Sequence, residues 1–295
     1  MASGTFRLYS MPDMTFCLDH LRIPAAALML FLSHQNAGAA EDASPWDGDA
    51  RSSARLIAGL RPAGPGVLRA GIEIRLKPGW HTYWRYPGDA GVPPQFDFTA
   101  STNVRALEVL WPAPHRLPEA GLIAIGYEQD VILPLRVLPQ DPSRPVTLQL
   151  KLNYAICEKL CVPAEASAGL ALAGGGASQE MSLAAAEARV PKRLALGEGQ
   201  TLAVRAVKRE DGPDRPRLVV DVQASRGGAV DLFAEGPTAQ WSLPLPVAAQ
   251  GAPTGLERFL IDLDGAPPGE AYQGALITLT VVAGGVAIEV PVKLD

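Results

Sequence analysis

Apolar and polar residues alternate along most of the chain, and a period of two marks strands with one face buried and one face wet. Ile72, Ile74 and Leu76 alternate with Glu73, Arg75 and Lys77, while Val146, Leu148, Leu150, Leu152 and Tyr154 alternate with Thr147, Gln149, Lys151 and Asn153. The second run is the clearest in the sequence and leads straight into Cys157. Further strands are predicted over residues 104–110 and 131–138. Pro134 assigns the latter to a sheet edge or a bulge, because proline cannot donate to a ladder. A Gly174-Gly175-Gly176 break follows, and then residues 178–189 are rich in Ala and Glu with Pro191 just beyond, which predicts a single interdomain helix. Strands resume over 201–208, 217–223, 256–263 and 275–282, and Gly284-Gly285 turns the chain into 286–294 as a hairpin. Strands at this spacing, with 29 Gly and 27 Pro in the turns, predict an all-β chain of two consecutive β-sandwich domains joined by a short helical linker. The expected division is 46–175 for the first sandwich, 176–194 for the linker and 195–295 for the second.

The first 40 residues break this pattern. Arg7 and Arg22 precede an apolar run from Ile23 to Leu32, and small residues follow at Ala37-Gly38-Ala39-Ala40, the layout of a signal peptide over residues 1–40 with cleavage after Ala39 or Ala40. Ten apolar residues span about 15 Å as a helix against roughly 30 Å of bilayer core, which disfavours a membrane anchor. Cys17, one of three cysteines, leaves with the signal, so Cys157 and Cys161 remain as a pair in an exported chain. Outside the cytosol such a pair is expected to be oxidised, and the simplest compartment is a bacterial periplasm.

Composition narrows the function. About 255 mature residues suffice for two domains that each bury a core without disulfide staples. The formal net charge of −5 gives no support for nucleic-acid binding. No later apolar stretch reaches spanning length, so the mature chain is expected to be soluble. No Gly-rich phosphate loop and no Gly-x-Ser-x-Gly elbow occurs, which leaves nucleotide and serine-hydrolase chemistry without support.

The chemistry therefore rests on the sulfur pair, for which the spacing leaves three readings open. A Cys-x-x-x-Cys bridge closes a very short loop and removes little denatured-state entropy, so it is a poor staple, and short near-surface disulfides tend to be exchangeable. An inert structural bridge is the second reading. Capture of a soft metal ion such as Cu(I) by two thiolates with His81 or His115 is the third, although no paired ligand spacing accompanies it. No cofactor and no metal site are predicted. A second unusual stretch, residues 78–98, concentrates aromatics, with Trp80, Tyr83, Trp84 and Tyr86 among them. Its Pro87-Gly88-Asp89 and Pro93-Pro94 are expected to make it a loop that lies over the sulfurs.

Five ordered motifs carry a family resemblance: Gly79-Trp80-His81-Thr82-Tyr83-Trp84-Arg85, Pro87-Gly88-Asp89-Ala90-Gly91, Trp111-Pro112-Ala113-Pro114, Gly126-Tyr127, and Tyr154-Ala155-Ile156-Cys157 through Cys161-Val162-Pro163-Ala164-Glu165. Together they resemble the exported N-terminal domain of the DsbD/ScsB thiol:disulfide interchange proteins over about residues 60–172. The resemblance implies an immunoglobulin-like domain whose Cys157–Cys161 pair accepts electrons and passes them to periplasmic proteins, as a component of a protein-disulfide reductase. The aromatic stretch is expected to correspond to a shielding element, and Trp80, Tyr83, Trp84, Tyr86 and Tyr154 are the candidate shielding or substrate-contact residues. The three-residue spacing of the cysteines places the chain nearer the ScsB branch than DsbD itself. With no membrane carrier and no thioredoxin-like domain in the sequence, the expected partners are a membrane-embedded thiol electron donor in trans and periplasmic thioredoxin-like or disulfide-containing proteins. The rival expectations are a non-catalytic binding module with a structural disulfide, and a copper-stress role suggested by the ScsB resemblance alone.

Overall fold

A computed structural model describes Met1 and residues 42–295 except 61, 120, 173–177, 213 and 226–227. The expected signal peptide, with Cys17, and the triple-glycine break lie outside the described residues. In chain order the strands are β1 (Asp47–Gly48), β2 (Ser52–Ala58), β3 (Leu68–Leu76), β4 (His81–Gly88), β5 (Gln95–Asp97), β6 (Val104–Val109), β7 (His115–Glu119), β8 (Leu122–Tyr127), β9 (Val131–Pro139), β10 (Val146–Cys157) and β11 (Cys161–Leu172). Helix α1 (Glu180–Ala188) comes next. Then follow β12 (Lys192–Arg193), β13 (Leu202–Asp211), β14 (Pro216–Ala224), β15 (Val230–Glu235), β16 (Val247–Ala249), β17 (Glu257–Asp262), β18 (Leu276–Ala283) and β19 (Val286–Lys293). They make two consecutive immunoglobulin-like sandwiches. The first packs sheet β1-β2-β3-β9-β6 against β11-β10-β4-β8-β7, to which β5 adds by pairing with β10. The second packs β12-β19-β18-β15 against β13-β14-β17-β16. No helix among the described residues is long and apolar enough to cross a membrane.

Strand β10 shows how pattern becomes packing. Val146, Leu148, Leu150, Leu152 and Tyr154 are all buried, while Gln149, Lys151 and Asn153 are exposed. They meet Leu56, Ile72, Ile74, Leu133, Leu135 and Val137 of the opposite sheet in one core. From Tyr154 onward the alternation stops and four consecutive residues are buried. There β4 pairs with the end of β10 at Ile156↔Thr82 and Cys157↔His81, and Tyr83, Leu117 and Ala124 pack over Ala155 and Cys157 on its second face. In the second sandwich, Gly284 and Gly285 (φ 54° and 76°) form the two-residue turn of the β18–β19 hairpin, a conformation that needs positive φ at both positions.

Two expectations about the backbone are corrected. Pro134 lies in an interior strand, since β9 runs between β3 and β6. It is tolerated because it stands opposite Gly71 on one side and, on the other, at the end of β6, where its carbonyl accepts a bond from Leu110 N at 2.8 Å. The absent N–H faces that same strand end and interrupts no ladder. Residues 81–88, expected as loop, continue the sheet as β4. A register irregularity between Tyr83 and Gly88 absorbs Pro87 as a bulge does.

Helix α1 rides on the first sandwich. Leu183 is fully buried against Gly59 and Gly71, where side chains would collide with its methyl groups. Arg69, only 7% exposed, binds Glu180 at 2.6 Å and Glu187 at 2.6 and 2.8 Å, and Arg136 binds Glu187 at 2.5 Å. Past α1, β12 joins the second sandwich parallel to β19.

The two sandwiches meet along β4 and β7. Phe233 of β15 belongs to the core of the first sandwich and lies 5.9 Å from the Trp84 ring. Arg85 stacks on Trp84 and binds Glu235 at 2.7 Å and Glu289 at 2.5 Å. Arg116 binds Asp231 at 2.7 Å, and the Tyr86 hydroxyl donates to Leu243 O at 2.9 Å.

Candidate functional site

Cys157 and Cys161 are direct cross-strand partners at the tip of the β10–β11 hairpin and form a disulfide. The three residues between them, Glu158, Lys159 and Leu160, are exposed. The two sulfurs are not equivalent. Cys157 is 2% exposed because β4 lies beside it, whereas Cys161, on the edge strand β11, faces solvent.

Three side chains from the neighbouring strands converge on the pair. Tyr83 projects from β4, with its hydroxyl 3.0 Å from Cys157 Sγ and 3.2 Å from Cys161 Sγ. Glu119, at the end of β7, places Oε1 2.7 Å from Cys161 Sγ and 3.2 Å from Cys157 Sγ. The Tyr83 hydroxyl lies 3.1 Å from both Glu119 oxygens, and His81 Nε2 lies 3.2 Å from Glu119 Oε2. A disulfide sulfur has no proton to donate, so the sulfur–carboxylate approaches become hydrogen bonds only when thiols form. Burial, reinforced by the adjacent Glu119, pushes the Tyr83 hydroxyl well above the usual tyrosine range, which keeps it a donor.

Backbone placement makes this convergence possible. The Thr82 hydroxyl donates to Ala155 O at 2.9 Å, pinning β4 to β10 beside the sulfurs. Gly126 stands opposite Tyr83 in β8, where an added Cβ would fall 2.0 Å from Thr82 O. Only glycine lets β8 come close enough to carry β7, and with it Glu119, to the disulfide.

The remaining predicted aromatics go elsewhere. Trp80 is half-buried beneath Arg51, Trp84 is buried against Phe233, Tyr86 bonds Leu243 O, and the Tyr154 hydroxyl meets Ser52 Oγ at 2.6 Å on the inner face of β10. The expected aromatic cover thus reduces to Tyr83, because β4 is a sheet strand whose side chains point to opposite faces. His115 starts β7, four residues from Glu119 and so about 13 Å away at strand rise. It does not join His81 at the sulfurs. Glu119 escaped the sequence reading because it lies 38 residues from Cys157 and nothing local marks it.

Residues 64–171 match the family described as "Thiol:disulfide interchange protein DsbD, N-terminal". Among solved structures, the N-terminal periplasmic domain of ScsB from Proteus mirabilis is similar, with a TM-score of 0.66 and 22% sequence identity. The alignment covers 86% of this chain and 98% of that one, so the likeness of fold takes in the second sandwich as well. No curated protein sequence matches the chain.

Proposed function

Because residues 64–171 match a family named for thiol:disulfide interchange, we propose that this chain is a soluble periplasmic thiol–disulfide exchange protein. It passes reducing equivalents through Cys157 and Cys161 from a membrane-embedded thiol donor to thioredoxin-like or disulfide-containing proteins. The observation that carries this reading is the asymmetry of the pair: one sulfur faces solvent and the other is 2% exposed beneath a tyrosine hydroxyl.

In the forward direction the reduced Cys161 thiolate attacks a substrate disulfide. One substrate sulfur leaves as thiolate and takes a proton, and a mixed disulfide forms. Cys157 then loses its proton and attacks the Cys161 sulfur, releasing the second substrate thiol and restoring the bridge. Recharging runs the same steps backwards from a donor dithiol, with Cys157 Sγ as the leaving thiolate. Attack requires in-line approach to a sulfur, and only Cys161 offers that approach to a folded partner.

The test is trapping. Cys157→Ser leaves Cys161 free and should accumulate a mixed disulfide with a thioredoxin-like partner, while Cys161→Ser should accumulate little. The pair should also reduce without unfolding, at a potential above about −300 mV. A potential well below that value, or loss of the first sandwich on reduction, would return the bridge to a structural role.

A further inference from the structure

Four side chains from four strands meet at the tip of the β10–β11 hairpin, and their donor atoms are those of a metal site. His81 Nε2, a Glu119 oxygen and Cys157 Sγ all lie within 4.8 Å of one another. Cys161 Sγ adds a fourth donor, 2.7 Å from Glu119 Oε1. We propose that reduction of Cys157–Cys161 opens a site for a thiophilic d10 cation, Zn2+ or Cu+, held by Cys157, Cys161, His81 and Glu119.

The chemistry gates the site by redox state. Thiolate is the metal ligand, and the sulfurs of a disulfide carry no charge to offer. Reduction adds two electrons from an external dithiol or phosphine, which ends as its disulfide or as the phosphine oxide, and two protons from that dithiol or from water, and yields two thiols. The cation then displaces both thiol protons to solvent, and nothing is oxidised. Tetrahedral bonds of about 2.0–2.3 Å to sulfur, nitrogen and oxygen put neighbouring ligand atoms roughly 3.3–3.8 Å apart. Glu119 Oε1 already stands 3.2 Å from Cys157 Sγ and His81 Nε2 3.2 Å from Glu119 Oε2, whereas the two sulfurs must swing apart from bonding distance once the bridge is reduced. His81 and Glu119 are 12% and 14% exposed and already face each other, so an ion enters by replacing their mutual contact. Cys161, on the solvent side, gives access. Tyr83 stays outside the set as a donor to Glu119, the kind of supporting contact that orients a ligating carboxylate. Two thiolates and an imidazole suit borderline and soft ions and give Mg2+ or Ca2+ little to bind.

This inference rests on the proposed reducibility of the pair in the folded chain, and on no particular partner. The experiment uses the full chain, reduced with a phosphine, freed of reductant without oxygen, and titrated with Zn2+ or Cu+ against a chromophoric chelator. One ion should bind per reduced chain and none per oxidised chain, with protons released on binding. The arm that wins the competition at lower free ion identifies the cation. Glu119→Gln and His81→Gln, both close in size to the native residues, should each weaken binding by at least about tenfold, and Cys157→Ser should abolish it. Each variant is first checked by circular dichroism for native strand content. Equal uptake by oxidised and reduced chains, or unchanged affinity in both Glu119→Gln and His81→Gln, overturns the site. A pair that reduces but takes up no ion sinks this inference alone. A pair that cannot be reduced while folded sinks the exchange reading as well.

Discussion

At the residue scale the informative contact is the Tyr83 hydroxyl, which touches both sulfurs and Glu119 and keeps its proton. When a partner attacks Cys161, negative charge develops on the buried Cys157 sulfur, and Tyr83 is the hydroxyl within reach to donate to it. A hydrogen bond to a charged group contributes about 1.5–3 kcal/mol. Tyr83→Phe should therefore slow reduction of the bridge by about 10–100-fold, measured as the rate with a small dithiol, while the melting temperature moves little because the ring still packs. Tyr86→Phe is the control. Its hydroxyl serves Leu243 O in the second sandwich, so the reduction rate should stay at the wild-type value. An unchanged rate in Tyr83→Phe would mean that the hydroxyl does no more than fill space.

At the scale of elements, α1 is held by one charge cluster whose pH response can be signed. Burial by itself would raise the Glu187 pKa, but bonds and charge from Arg69 and Arg136 outweigh it and hold the group below its ordinary 4.5. A carboxylate lowered on folding contributes stability above its unfolded pKa and loses that contribution as pH falls through the folded one. Glu187→Gln should therefore melt earlier than wild type at neutral pH, and the gap should close as pH drops below 4.5; a gap that persists in acid would assign the loss to packing. How far such elements could be read from the sequence depended on how many faces they bury. Strand β10 was legible because one face is wet along most of its length. Strand β4 was not: Thr82, Tyr83 and Trp84 are all buried, so alternation vanishes, and Pro87-Gly88 imitates a loop where the chain makes only an irregular ladder. The sulfur pair and Tyr83 were visible for their residue types, whereas Glu119 reaches them through the β7–β8–β4 register, which no local pattern encodes.

At the scale of the molecule, the two sandwiches share hydrophobic material. Phe233 stands on β15 of the second sandwich yet packs in the first sandwich's core, against Trp84, and the described residues from 42 to 295 form one compact unit. Trp84 directly follows Tyr83, so the strand that presents a hydroxyl to the sulfurs is wedged in place from the far side by the second sandwich. The wild-type protein should therefore melt in a single calorimetric transition. Phe233→Ala removes a fully buried ring at a cost of about 3–5 kcal/mol and leaves a cavity beside Trp84. The expected result is two separated transitions, the first sandwich melting earlier, with a red shift in tryptophan emission as Trp84 gains access to water. Its reduced pair should also react faster with small thiol reagents, because β4 loses the packing that fixes Tyr83 over Cys157. If Phe233→Ala lowers the melting temperature yet keeps one transition and the wild-type thiol reactivity, the second sandwich stabilises the first without steadying the sulfur site, and its part in exchange must be sought on its own surface.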